Sequence, residues 1–169
     1  MAMRFDPIRL RSTLDEIPTN AWSLASTYRD TGVHHGYRRV VLVSAGHWHP
    51  HADLFGFVWD AMNQVRDVTL SMLEPGGFIA PHRDAAPWFE RWQVPIVTSG
   101  DWHGQDVHAE VGVAFPVKHW EPHAVTNRGR SPRIHLVIDR DVAIRRDPLP
   151  FETFPIPDDM AGLVDRSRQ

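Results

Sequence analysis

The chain has 169 residues, enough for one domain with a real core, and its 42% hydrophobic and 23% charged content is ordinary for a soluble globular protein. A formal net charge of −3 leaves no electrostatic footprint for nucleic acid. No window approaches the ~18 apolar residues of a membrane span, and MAMRFDPIRLRS has no apolar signal core, so the expected location is the cytoplasm.

Asp6 is placed to cap a first helix through Ile8, Leu10, Leu14 and Ile17, broken at Pro18. Tyr37 to Ser44 (YRRVVLVS) reads as a strand, and GHWHPHAD follows it. A second helix is expected from about Ala52 to Val65, with Leu54, Phe55, Val58, Trp59 and Met62 on one stripe. Short β-prone runs then come at Val68–Leu73, Gly77–Pro81, Trp92–Thr98, Val107–Val113, His123–Thr126 and Arg133–Asp139. Helices first and many short strands after them predict an antiparallel sandwich with helices covering one face. Residues 1–169 are expected to form one domain: 1–65 a helical support, 66–140 the β core, and 141–169 a tail rich in proline (Pro148, Pro150, Pro155, Pro157).

Strand side chains alternate faces with period two. Thr69 and Ser71 then oppose Val68, Leu70 and Met72, while Arg91 and Gln93 oppose Trp92, Val94 and Ile96. Arg133, His135 and Val137 oppose Ile134, Leu136 and Ile138. A half-exposed sheet alternates in the same way, but its polar side would carry Lys, Glu and Thr. Here that side carries arginines and possible metal ligands, as the lining of a small barrel would.

His82-Arg83-Asp84 is followed by His123 thirty-nine residues after Asp84, and by Arg133 ten further on. Zero cysteines exclude disulfides and thiolate ligands, so a metal site must use His, Asp and Glu. Two imidazoles and a carboxylate suit non-haem Fe(II), because they leave one face of an octahedron open; Mn, Co or Ni would also bind such a set. An arginine beyond the distal histidine can anchor the far carboxylate of a 2-oxo-acid, and its planar fork matches a carboxylate bidentately.

From Ser71 to Asp139 the chain resembles the aspartyl/asparaginyl β-hydroxylase family, a branch of the 2-oxoglutarate/Fe(II) oxygenases. The resemblance lies in LSMLEPGGFIAPHRD, then Arg91, then EPHAVTN, then RIHLVID. It implies a mainly β fold, a double-stranded β-helix (jelly roll, cupin-like) with two N-terminal helices packed on one sheet. It implies His82, Asp84 and His123 as the catalytic metal ligands, and Arg133 with the Ser71 hydroxyl on the far carboxylate of 2-oxoglutarate. Arg91 would sit near the carboxylate that chelates iron, with Gln93 beside it. The animal enzymes that name the family lack a carboxylate ligand, so Asp84 makes this chain more similar to bacterial members acting on free proline or carrier-tethered amino acids. Iron halogenases of the superfamily replace that carboxylate with a small residue, so Asp84 implies hydroxylation.

The expected activity is that of an Fe(II)- and 2-oxoglutarate-dependent dioxygenase. It would use O2 to hydroxylate an unactivated C–H bond of an amino acid or amino-acid-derived small molecule, free or carrier-tethered, releasing succinate and CO2. The alternatives are a peptidyl Asp/Asn β-hydroxylase, a metal-holding jelly-roll module without turnover, and a cupin enzyme that needs no oxo-acid. The intact triad speaks against the module, and two arginines on the lining speak against the last. The expected partner is a small molecule, with neither nucleic acid nor membrane.

His47, His49 and His51 resemble part of the HxHxDH motif of metallo-β-lactamases, but Pro50 and Ala52 break the match. A structural loop, a pocket wall and a second metal site all stay open for them. His34-His35 reads as solvated and Glu74 as part of a turn with Pro75-Gly76-Gly77. Trp88, Trp102 and Trp120 read as either core packing or a pocket lid.

Overall fold

Asp6 opens the first helix as the spacing predicts. Its carboxylate accepts the Ile8 N–H at 2.9 Å, and Pro7, with no N–H to leave unpaired, takes the first helical position. Helix α1 (Pro7–Asp15) buries Leu10 and Leu14 and ends before Pro18. The computed structural model describes residues 2–24, 34–63, 65–84, 89–97, 101–141 and 152–155.

Ten strands lie among the described residues, and every pairing between them is antiparallel. They are β1 (Ser23–Leu24), β2 (His34–Ser44), β3 (His47–Trp48), β4 (Val65–Arg83), β5 (Phe89–Pro95), β6 (Asp101–His103), β7 (Phe115–Val117), β8 (His123–Thr126), β9 (Arg133–Asp141) and β10 (Glu152–Thr153). The main layer runs β1-β2-β4-β9-β5-β7, and a smaller one is made by β8 and β6 on the second half of β4. Residues 1–65 are therefore more than a helical support, since β2 is an eleven-residue strand paired along β4. No helix among the described residues is long and apolar enough to cross a membrane.

The two runs expected at Val68–Leu73 and Gly77–Pro81 are halves of the single nineteen-residue strand β4. Its first half pairs with β9, and its second half pairs with β8. The Pro75-Gly76-Gly77 turn signal bends the strand instead of ending it. Gly76 takes a positive φ of 76°, and a Cβ on Gly77 would meet the His35 carbonyl oxygen at 2.8 Å. Asn127 ties the bend to the end of β8, accepting from Gly76 N at 2.8 Å and donating to Gly77 O at 2.9 Å through its backbone. Glu74 receives the Arg38 Nε–H at 2.6 Å and lies outside the pocket.

The alternation read from the sequence holds. Val68, Leu70, Val94, Ile96, Ile134, Leu136 and Ile138 belong to one buried cluster with Leu10 and Leu14 of α1 and with Phe55, Val58, Trp59 and Met62. Ser71, Arg91, Gln93, Arg133 and Val137 line a pocket on the opposite face of the same strands.

Three expected elements differ. The helix from Ala52 to Val65 is reduced to a 3-10 turn (Ala52–Phe55) and a four-residue helix, α2 (Gly56–Trp59). Gly56 costs a helix interior about 1 kcal/mol, and Val65 already belongs to β4, yet one turn suffices to bury Phe55, Val58 and Trp59. Val107–Val113 forms no strand; the Arg4–Val113 bridge is its only ladder contact among the described residues. In the tail, β10 pairs with β4 beside His82. Pro148, Pro150 and Pro157 lie outside the described residues, as do Thr98 and Trp88.

Candidate active site

His82 ends near the tip of β4, and His123 starts β8 directly opposite it in the register. Their rings stand 4.4 Å apart between centroids. Each Nδ1 bonds a backbone carbonyl two residues back, Ala80 O at 2.8 Å for His82 and Glu121 O at 2.9 Å for His123. A carbonyl oxygen only accepts, so each Nδ1 carries a proton, which leaves Nε2 as the atom of a neutral ring able to bind a cation. Asp84 follows β4, held by its own N–H to His119 O at 2.8 Å, and its Oδ1 lies 3.6 Å from His82 Nε2. One donor atom from each of His82, Asp84 and His123 falls within 4.8 Å of the others.

The charge states suit a cation. Burial, reinforced by His82, pushes the His123 imidazole down to about 4. Burial would raise the Asp84 carboxyl, but Arg91 and the neighbouring imidazoles outweigh it and hold its pKa below the ordinary value. At neutral pH the site is a carboxylate facing a neutral His123 imidazole.

Arg91 lies on β5 opposite Asp139 of β9. Its Nε and Nη2 donate to the two Asp139 oxygens at 2.8 and 2.9 Å, and its Nη1 donates to Asp84 Oδ2. Burial acts to lower its pKa, but the two carboxylates more than offset this and hold it above the usual guanidinium range. Asp139 escaped the sequence reading although it shares parity with Arg133, His135 and Val137.

Arg133, 1% exposed, donates to Gln93 Oε1 at 3.1 Å and lies 3.0 Å from His135 Nδ1. His135 Nδ1 is also 2.8 Å from Gln93 Oε1, so that nitrogen either donates to the amide or accepts from the guanidinium. The guanidinium carbon stands 5.4 Å over the Trp102 ring. Burial pushes the Arg133 pKa down to about 9, with Tyr37 opposing.

One pocket is lined by all seven residues singled out from the sequence: Ser71, His82, Asp84, Arg91, Gln93, His123 and Arg133. His34, Tyr37 and Trp102 are also part of the wall, with Ile79, Val125 and Val137. Of the pair expected to be solvated, His35 is exposed, whereas His34 is half-buried on the wall with its ring 5.3 Å from that of His82. Tyr37 was missed because Gly36, at φ 64°, shifts the β2 register just before it. Trp102 belongs to the pocket wall, whereas Trp120 packs edge-on against His119. His47 and His49 sit on an exposed hairpin, where His49 Nε2 meets Ser44 Oγ at 2.6 Å, and His51 takes a left-handed φ of 73°. None of these three lines the pocket, and among the described residues they form no metal group.

Residues 20–141 match the family model for aspartyl/asparaginyl β-hydroxylases. The chain belongs to this family. No curated protein matches it in sequence. Among solved structures it is similar to a prolyl-4-hydroxylase from Pseudomonas putida, at 16% identity over 84% of this chain and 91% of that one, with a TM-score of 0.54. A cupin-2 domain from Rhodospirillum rubrum aligns at 15% identity over 80% of this chain and 82% of that one, with a TM-score of 0.48. At such identities the likeness is one of fold: a cupin-type jelly roll, mainly β, with helices on one sheet, as the family resemblance implied. The family is one of hydroxylases, and His82, Asp84 and His123 make a possible metal site within it.

Proposed function

We propose that the chain is an Fe(II)- and 2-oxoglutarate-dependent dioxygenase, one domain over residues 1–169, that hydroxylates an amino acid or amino-acid-derived small molecule. The observation that carries this reading is the convergence of two Nδ1-anchored imidazoles and an ionised carboxylate on a pocket whose wall also holds a buried guanidinium. The donor set suits Fe(II): one atom each from His82, Asp84 and His123, all within 4.8 Å of one another, would take one face of an octahedron. When bound, iron with 2-oxoglutarate and O2 would supply the insertion of one oxygen atom into a C–H bond, with release of succinate and CO2.

The chain's own residues bind and orient. Arg133, with Ser71 on the neighbouring β4, would hold the far carboxylate of the cosubstrate; Gln93 and His135 fix the guanidinium from behind. His34, Tyr37 and Trp102 would shape the substrate end of the wall and exclude water. Asp84 supports hydroxylation over halogenation, because it fills the position a halide would need. A peptidyl Asp/Asn substrate is the second reading, favoured by the family match alone.

The test is release of succinate from 2-oxoglutarate with Fe(II) and O2, followed by a screen of amino acids and derivatives for acceleration. His123→Ala should abolish turnover, and labelled dioxygen should place one labelled oxygen in the product, with no halogenated species in high chloride. Full activity of the His123→Ala variant would remove the proposal.

A further inference from the structure

The two oxygens of Asp84 have different neighbours. Oδ2 accepts from Arg91 Nη1, whereas Oδ1 lies 3.6 Å from His82 Nε2, on the side of an imidazole of the candidate metal group. Arg91 is itself held in place. Asp139 takes its Nε and Nη2 at 2.8 and 2.9 Å, fork on fork, across the paired strands β5 and β9. Each of the three guanidinium nitrogens thus donates to a carboxylate of the protein.

We propose that Asp139 and Arg91 form a clamp that keeps Asp84 a one-oxygen metal ligand, which makes Arg91 a positioning residue for that ligand and not a contact of the cosubstrate. The proposal rests on the metal reading above. Its consequence is a matter of counting positions. An octahedral ion with three protein donor atoms has three positions left, two for a chelating oxo-acid and one for dioxygen. Were Asp84 to swing round and bind through both oxygens, one of those positions would be lost. The bond from Arg91 Nη1 to Oδ2 prevents the swing, and the Asp139 fork stops the guanidinium from following it.

Co(II), which has readable d–d absorption, serves as the probe in wild type, Asp139→Asn and Arg91→Lys, with circular dichroism to establish folding. Lysine keeps the buried positive charge but offers one nitrogen, which cannot serve both carboxylates. Wild type should bind one Co(II). Both variants should bind it about 10- to 100-fold more weakly, the usual effect of losing a group that orients a metal ligand, and with an altered absorption band. Titration of 2-oxoglutarate into the Co(II)-loaded Asp139→Asn protein should give an affinity within about threefold of wild type. If Asp139→Asn does not fold, Arg91→Lys decides on Co(II) affinity and band shape. Unchanged Co(II) affinity and absorption in the folded variants would overturn the clamp, as would intact metal affinity with a lost response to 2-oxoglutarate. Failure of wild type to bind Co(II) would be a different result, overturning the functional reading of the site and the clamp with it.

Discussion

At Arg133 a guanidinium only 1% exposed sits beside Gln93 and His135, and burial has lowered its pKa to about 9. A carboxylate brought against it would gain the strength of a buried charged pair, and losing one partner of such a pair costs about 3–5 kcal/mol. Arg133→Ala should therefore raise the dissociation constant of 2-oxoglutarate by two or more orders of magnitude and leave metal binding nearly intact. Anaerobic titration of the iron protein, followed by the charge-transfer band of the chelate, measures it; an unchanged affinity would reduce Arg133 to a packing role. His123 carries the pH dependence. Its folded pKa of about 4 lies below the 6.5 of a free imidazole, so the unfolded chain takes up a proton that the native state refuses. Stability from this group is whole above pH 6.5 and is lost as pH falls toward 4, on the order of 3 kcal/mol across that window. Thermal melts of the metal-free protein should fall over this range, and less steeply in His123→Gln; identical slopes would count against a buried neutral imidazole. The three candidate ligands were legible because the chemistry demands those residue types. Asp139 was not, since its role depends on lying opposite Arg91.

Among the elements, β4 decides the most. Its first half supplies Ser71 to the main layer, and its second half carries His82 to the smaller layer, with the bend at Gly76-Gly77 between them. Gly77→Ala places a Cβ 2.8 Å from His35 O and 2.9 Å from Glu74 O, both backbone atoms that cannot easily give way. Overpacking of this kind costs about 1–3 kcal/mol. Gly76→Ala meets no atom within 4 Å and pays only the left-handed strain at φ 76°, about 1–2 kcal/mol. Urea denaturation should rank Gly77→Ala as the more damaging, and only that variant should also weaken metal binding through a displaced His82. The reverse ranking would mean that the bend is not held by its close approach to β2. Pattern reading took Pro75-Gly76-Gly77 as the end of a strand because turn chemistry is local. Whether a chain stops or bends there depends on partners such as Asn127, which lie far away in sequence. The same holds for the shortened helix after Ala52, where the apolar stripe was right but the helix stops at Trp59 and the chain enters β4 at Val65.

Across the whole molecule the main sheet has two unlike faces. One meets the helices through Leu70, Leu136 and Ile138, all fully buried, and the other looks into the pocket. Stability and binding should therefore separate. Leu136→Ala, on the helix side, should cost about 2–5 kcal/mol of folding stability through its cavity while 2-oxoglutarate affinity, measured well below the melting temperature, stays near wild type. A parallel loss of both would show that the faces are coupled. The amino-acid sequence alone determined the division into an aliphatic and a polar face and, through the family resemblance, the fold class and seven of the residues that line the pocket. The two faces were legible because strand alternation has a strict period, and the candidate metal ligands because a cysteine-free site has few residue types to draw on. Tertiary structure decided which oxygen of Asp84 faces the imidazoles, what holds Arg91, and that His34 and Tyr37 join the wall. Those facts depend on register between strands distant in the chain, and register is set by the packing of the whole sheet.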